Sequence, residues 1–327
     1  LDAGVEALLA VKEGGQTVLY AGGSFTSTGG VAASRIARFD GVSWQPLGEG
    51  IPFFTHGIFG CCAKVLSLAV HDDGSGESLF VGGDFITAGA GLTPYESIAR
   101  WQGGAWNTVG GGLFAPPWCI DCPARVYDLV TWEQGGTTLL AMAGSFEIAG
   151  SLPVMNVVLW DGVQWINIGG VESGPGGAPI AVINDLEVFD DGTGPALYAA
   201  GIFNLAGGVT ADAIARWNGT QWEPVGGGLG PNGPEGPFAS GNAMRVFDDG
   251  SGPALYVTGE FQTAGGRSAV NIAKWNGNEW SDVGGGLGVV VGGQGLCLEV
   301  FDDGAGEALY AGGQFTEAGG QPVNQVA

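Results

Sequence analysis

Five cysteines, two histidines and four Asp-Asp pairs are the residues of this chain with the most chemistry in them. Cys61 and Cys62 are adjacent, and Cys119 and Cys122 follow in C-x-x-C spacing. In an oxidising compartment the simplest product is two disulfides, with three connectivities open. A four-cysteine zinc site is the rival, because C-x-x-C suits a ligand pair, although adjacent cysteines do not. Cys297 stands in an apolar run and is expected as a buried small residue. His56 and His71 lie at the two ends of one strand-like segment, which places them on opposite faces and excludes a shared metal site. Asp72-Asp73, Asp190-Asp191, Asp248-Asp249 and Asp302-Asp303 are calcium candidates as clustered hard oxygen ligands. Asp followed by Gly is equally a hairpin-turn signal, which accounts for the same residues without an ion. No other cofactor is expected, and no catalytic set of residues converges.

The elements that must position these groups emerge from self-similarity. An apolar run closing on two small residues and an aromatic recurs six times, ending at Phe25, Phe85, Phe146, Phe203, Phe261 and Phe315, at spacings of 60, 61, 57, 58 and 54 residues. A second phrase follows in register, with the aromatic pairs Phe39/Trp44, Trp101/Trp106, Trp160/Trp165, Trp217/Trp222 and Trp275/Trp280. Nine of the eleven tryptophans therefore belong to the repeat and read as packing residues. Each unit reads as four short strands, here A to D. In the fourth unit they are Ile183 to Phe189, Ala196 to Gly201, Ala213 to Trp217 and Trp222 to about Val225. Asp-Gly, Asn-Gly and Gly-Gly pairs between them predict antiparallel hairpins.

One such sheet cannot bury both its faces, whereas six arranged radially bury each against the next. The expected fold is all-β: a six-bladed β-propeller of four-stranded antiparallel blades in a single domain, 1–327. The blades fall at about 1–50, 51–113, 114–172, 173–229, 230–287 and 288–327. An open solenoid is the alternative. The sixth unit stops inside strand C, leaving an open edge that either a further segment or a strand of another molecule would cover. The start at Leu1, with no basic and apolar leader, fits a removed targeting segment or a fragment.

The double glycines Gly22-Gly23, Gly82-Gly83 and Gly312-Gly313, the aromatic closing strand C and the Trp opening strand D resemble the Kelch-type propeller repeat. The phrases Leu309 to Phe315 and Asn271 to Gly277 are also similar to repeats of the fungal cortical cell-polarity marker family and of secreted bacterial repeat proteins. In three units the first glycine is replaced, by Ala143, Ala200 and Thr258. The resemblance implies a scaffold and no particular activity.

In such a blade the B-to-C and D-to-A connections share one face. The D-to-A loops carry Phe53, Phe54, Phe59, Pro116, Trp118, Phe238, Val289, Val290 and Val291. Apolar residues in long loops on a rigid scaffold mark a partner surface, with plugging of a central channel as the structural alternative. Strand C carries Arg38, Arg100, Arg216 and Lys274 in register, expected to pair with carboxylates of a neighbouring blade. Ten basic against 33 acidic residues give a net charge of -23, which repels nucleic acid and anionic lipid. No apolar run reaches the ~20 residues of a membrane span. These features point to a non-enzymatic extracellular or cell-surface module that binds a protein partner or itself, forming a filament or array through the apolar loops and the open sixth blade. A carbohydrate-binding or carbohydrate-active propeller, using Trp118, Tyr95 and His56, is the second reading.

Overall fold

The computed structural model describes residues 1–52, 63–89, 97–115, 124–175, 177–178, 180–231, 238–288 and 293–327. The chain is all-β, and none of the described residues forms a helix. It divides into two compact units, Leu1–Asn167 and Ile168–Ala327.

The first unit holds three four-stranded antiparallel sheets, each in the order A-B-C-D along the chain. Repeat 1 runs Val5–Glu13, Gln16–Gly23, Ile36–Phe39 and Trp44–Pro46. Repeat 2 runs Lys64–Asp72, Glu77–Asp84, Ile98–Gln102 and Ala105–Asn107. Repeat 3 runs Arg125–Gln134, Thr137–Ser145, Val157–Trp160 and Trp165–Ile166. The second unit holds two more such sheets. Repeat 4 runs Val182–Asp190, Pro195–Ile202, Ile214–Trp217 and Trp222–Pro224. Repeat 5 runs Ser240–Asp248, Pro253–Glu260, Ile272–Trp275 and Trp280–Asp282. Repeat 6 has strands Gln294–Asp302 and Glu307–Gln314, joined at the open side of the second by a single bridge, Gly312 to Val326.

Local chemistry explains the turns. In repeat 4 the Asp190 carboxylate accepts the N–H groups of Gly192 and Gly194, both at 2.9 Å. The side chain thereby takes up backbone donors that the turn leaves unpaired. Asp72, Asp248 and Asp302 repeat this geometry.

Strand A carries a β-bulge in all six repeats, between Val5/Ala7, Val65/Ser67, Val126/Asp128, Ile183/Asp185, Gly241/Ala243 and Gly295/Cys297. The bulge turns a strand A carbonyl onto the second glycine of the strand B pair. A Cβ at Gly23, Gly83, Gly144, Gly201, Gly259 or Gly313 would overlap that backbone oxygen. The first place of the pair faces the next sheet instead and can vary. A Cβ at Gly22 would run into Val65, and one at Gly82 into Val126. Where the place is Ala200 or Thr258, the facing residue is Gly241 or Gly295, and there a Cβ would overlap Ala200 or Thr258. Neighbouring sheets thus exchange volume at one point of contact. Gly22→Ala alone is expected to cost about 1–3 kcal/mol by overpacking and Val65→Gly alone about 2–4 kcal/mol by cavity formation. The double variant rebuilds the small-residue pairing of repeats 4 and 5, and a coupling of at least about 1 kcal/mol in urea unfolding is expected. Simple additivity would refute the exchange.

Two further devices join consecutive sheets. The strand D tryptophans donate Nε1–H to carbonyls of the preceding segment: Trp106 to Leu47, Trp165 to Gly110, Trp222 to Ile168 and Trp280 to Val225, at 2.8–3.1 Å. The chain leaving one repeat also adds a short strand to the B-to-C hairpin of the next, as Leu113–Phe114 does to Ile148–Ala149 and Leu229–Gly230 to Thr263–Ala264.

Candidate functional site

The A-to-B turns gather most of the repeated charge. Asp191 accepts the Tyr198 hydroxyl at 2.9 Å and the Thr193 hydroxyl at 2.6 Å, and pairs with Arg216 at 3.3 Å. Asp249 does the same with Tyr256 at 2.9 Å, Ser251 at 2.6 Å and Lys274 at 2.7 Å. Glu13 takes the equivalent role with Tyr20 and Arg38, and Asp73 with Arg100 and Ser75. The basic residues therefore pair within their own repeat, against the expectation of a partner in a neighbouring blade. The reason is register: the strand C residue stands opposite the strand B tyrosine or phenylalanine, as Arg216 does opposite Tyr198, and both side chains reach the same turn.

The electrostatics follow from this geometry. Burial tends to raise the Asp191 carboxyl, but the Thr193 and Tyr198 hydrogen bonds and Arg216 outweigh it and hold the group below the usual carboxylate range. Asp249 is lowered chiefly by its bond to Lys274, then by Ser251 and Tyr256. Tyr20 is pushed up to about 12 by burial and by Glu13. Asp303 has a weaker version of the cluster, with Tyr310 at 3.3 Å. In the calcium candidates, one carboxylate of each pair is thus turned onto the backbone and the other onto its own turn or strand side chains. Among the described residues no three or more His, Cys, Asp or Glu side chains gather where one ion would meet them all.

His71 is buried near the end of strand A in repeat 2. Its ring meets Phe80 edge-on at 5.7 Å, and Nδ1 lies 3.3 Å from Thr131 Oγ1. Phe189, Phe247 and Phe301 hold the same place in repeats 4 to 6 and pair with Tyr198, Tyr256 and Tyr310. Trp132 holds it in repeat 3, which accounts for a tryptophan that the repeat phrase left over. His71 is therefore a core residue in an aromatic slot. Burial lowers its pKa below the ordinary 6.5, against the opposing pull of Asp73 and Asp72. A depressed histidine contributes stability above its unfolded pKa, lost as pH falls through that value. His71→Phe is expected to remove the part of acid destabilisation that begins below about pH 6.5, read from urea midpoints between pH 7.5 and 5. An unchanged pH profile would contradict this.

On the opposite, loop-bearing side, Phe238 lines a cleft of about 340 Å³ in the second unit, with Phe203, Asn204, Asp212, Leu229 and Thr263. One residue of its lining, Ala213, lacks a side chain that equivalent places carry. The residue entering strand C has positive φ, and at Arg35, Ser97 and Asn271 its side chain crosses to a carbonyl of the following segment: Ala63, Ala124 and Leu287. At this place repeat 4 has Ala213, φ 61°, and the space stays open. Partial removal from water raises the Asp212 carboxyl at the cleft. Sequence reasoning singled out Phe238 but missed Asp212, Asn204 and Thr263. The departure of Ala213 from the polar residues at its equivalents was the available signal.

Phe53, Phe54, Phe59, Pro116, Trp118, Val289, Val290 and Val291 lie outside the described residues, as do His56, Tyr95 and the cysteines Cys61, Cys62, Cys119 and Cys122. Cys297 is described, and it is exposed, contrary to the expected burial. It lies just past the strand A bulge, where the equivalent Ser67 is buried and approaches the Val126 carbonyl of the next sheet.

No protein-family model matches the chain, and no curated protein matches it. Solved structures do. The extracellular domain of BT4673 from B. thetaiotaomicron, described as a one component system, aligns over 96% of this chain and 38% of its own, with a TM-score of 0.44 and 9% identity. A second structure of that domain, described as a hybrid two component system, aligns over 95% and 37%, with a TM-score of 0.43 and 10% identity. The chain thus spans under two-fifths of the length of either match.

Proposed function

We propose that the repeats are propeller-type blades of a non-enzymatic extracellular module that works by binding a protein partner or its own copies. The observation carrying this reading is the large apolar residues that strands of the repeated sheets present to solvent, Leu8 at 63% and Phe301 at 59% exposure. Burying exposed aromatic and aliphatic surface of this kind drives association. The turn carboxylates support a structural role, being held by donors of their own repeat. The test of the extracellular part is chemical: non-reducing mass analysis of protein recovered from its source is expected to show Cys61, Cys62, Cys119 and Cys122 as disulfides. Five free thiols would overturn it.

A second reading, glycan binding, draws on the cleft. Asn204, Asp212 and Thr263 offer hydrogen-bonding groups beside the rings of Phe203 and Phe238, a pairing that suits a sugar's hydroxyls and apolar face. A glycan array probed with the full chain and with Asp212→Ala tests it: binding lost in the variant supports the reading, and a blank array removes it.

A further inference from the structure

We infer that the cleft of the second unit takes an amino sugar, whose free ammonium group meets the Asp212 carboxylate and the Leu229 carbonyl. This rests on the glycan-binding reading above and names the class of sugar. Repeat 5 shows what the same place does when a polar side chain fills it. Asn271, with φ 61°, donates Nδ2–H to the Leu287 carbonyl at 2.9 Å and accepts the Phe261 N–H on Oδ1 at 3.2 Å. Ala213 has the same φ, 61°, in matching surroundings: the Leu229 N–H donates to the Asp212 carbonyl at 2.9 Å, as the Leu287 N–H does to Val270. The counterparts of the groups that Asn271 engages are therefore the Leu229 carbonyl and the Phe203 N–H. Alanine has no polar atom to offer either, and both residues line the cleft.

The rest of the lining decides which donor fits. Among the described residues Asp212 is the one charged side chain at the cleft, and burial alone acts on its carboxyl, with no hydrogen bond or neighbouring charge to offset it. Asn204 Oδ1 is already taken by the Gly174 N–H at 2.6 Å, which leaves its amide N–H groups as donors. With the Thr263 hydroxyl and the rings of Phe203 and Phe238 they suit the hydroxyls and apolar face of a sugar ring. A carbonyl and a carboxylate, however, are both acceptors. A protonated primary amine carries three donors and a positive charge and answers the two together, whereas its N-acetylated form keeps one N–H and no charge. The net charge of -23 also draws cations to the chain.

Titration calorimetry of the full chain in about 0.15 M salt, with a glucosamine tetramer, its fully N-acetylated counterpart and tetralysine, is the test. The glucosamine tetramer should bind at least about tenfold more tightly than the acetylated one, as for gain of a charge-assisted hydrogen bond. Asp212→Asn should bring the two to equal affinity. Ala213→Asn installs the residue of repeat 5 and should bind neither, with a melting temperature no lower than wild type, because asparagine adopts positive φ more readily than alanine. Equal binding of both tetramers to the wild type would overturn the inference and leave the glycan reading standing, whereas no binding of either would remove both. A free-amine preference that survives both substitutions would mark general attraction of a polycation to an acidic chain and would also overturn it. Tetralysine binding as tightly as the glucosamine tetramer, and lost in the same variants, would overturn it in favour of a lysine side chain from a protein.

Discussion

Gly259→Ala is expected to destabilise the second unit by about 3 kcal/mol or more, one of the largest effects of any single-methyl addition to this chain. The backbone at Gly259 has no positive φ, so the cause is not glycine's conformational freedom. A Cβ there would overlap the Ser240 carbonyl oxygen and lie 2.9 Å from its carbon and 3.1 Å from Gly241 Cα, all backbone atoms that no rotamer change can move. Relief would require undoing the strand A bulge, which sets the register between strands A and B. Gly266→Ala is the control. It carries a positive φ of 74° with open space around it, and its cost is limited to the left-handed strain of about 1–2 kcal/mol. Urea unfolding of the full chain measures both, and a Gly259 variant no worse than the Gly266 variant would show that the bulge yields.

The same glycine shows how far sequence reasoning reached. The Gly-Gly phrase was visible as a repeat, and with it the four strands, their hairpins and the tryptophan pairs, because all of these are set by neighbours close in sequence. The reason the second glycine never varies while the first becomes Ala200 or Thr258 was hidden, since it depends on a strand A bulge and on what the next sheet presents. Arg216 was placed in the right strand and given the wrong partner for a similar reason. Its in-register recurrence is a sequence fact, whereas its reach to Asp191 is decided by which turn lies beside strand C. Cys297 was expected inside because strand A is apolar, but apolar residues there are buried by a neighbouring sheet and not by their own. The cleft at Ala213 is the sharpest case. An alanine among Arg35, Ser97, Asn156 and Asn271 is readable in the repeat register, but what it leaves out depends on the positive φ that these places share and on where the side chains of its equivalents reach.

Asp191→Ala is expected to cost about 2–3 kcal/mol, because it strands the buried Tyr198 hydroxyl and takes from Arg216 one of its two carboxylates, leaving Glu223. The Asp191 and Arg216 side chains are only 6% and 15% exposed, and the Tyr198 hydroxyl is held by the same carboxylate. The pH dependence has a definite sign. Asp191 is held below the ordinary 3.8, so the stability it contributes is present above that value and is lost as pH falls through it. The wild type should therefore lose stability more steeply than the variant between about pH 5 and pH 2, and the two unfolding midpoints should converge. Asp303→Ala provides the contrast. Its tyrosine is less buried and more distant, at 3.3 Å, and no basic residue faces it from a third strand within the described residues. A melting temperature close to wild type is expected there. If Asp191→Ala proves equally silent, the Tyr-Asp-Arg clusters are solvated decoration, and the repeats are held by sheet-to-sheet packing alone.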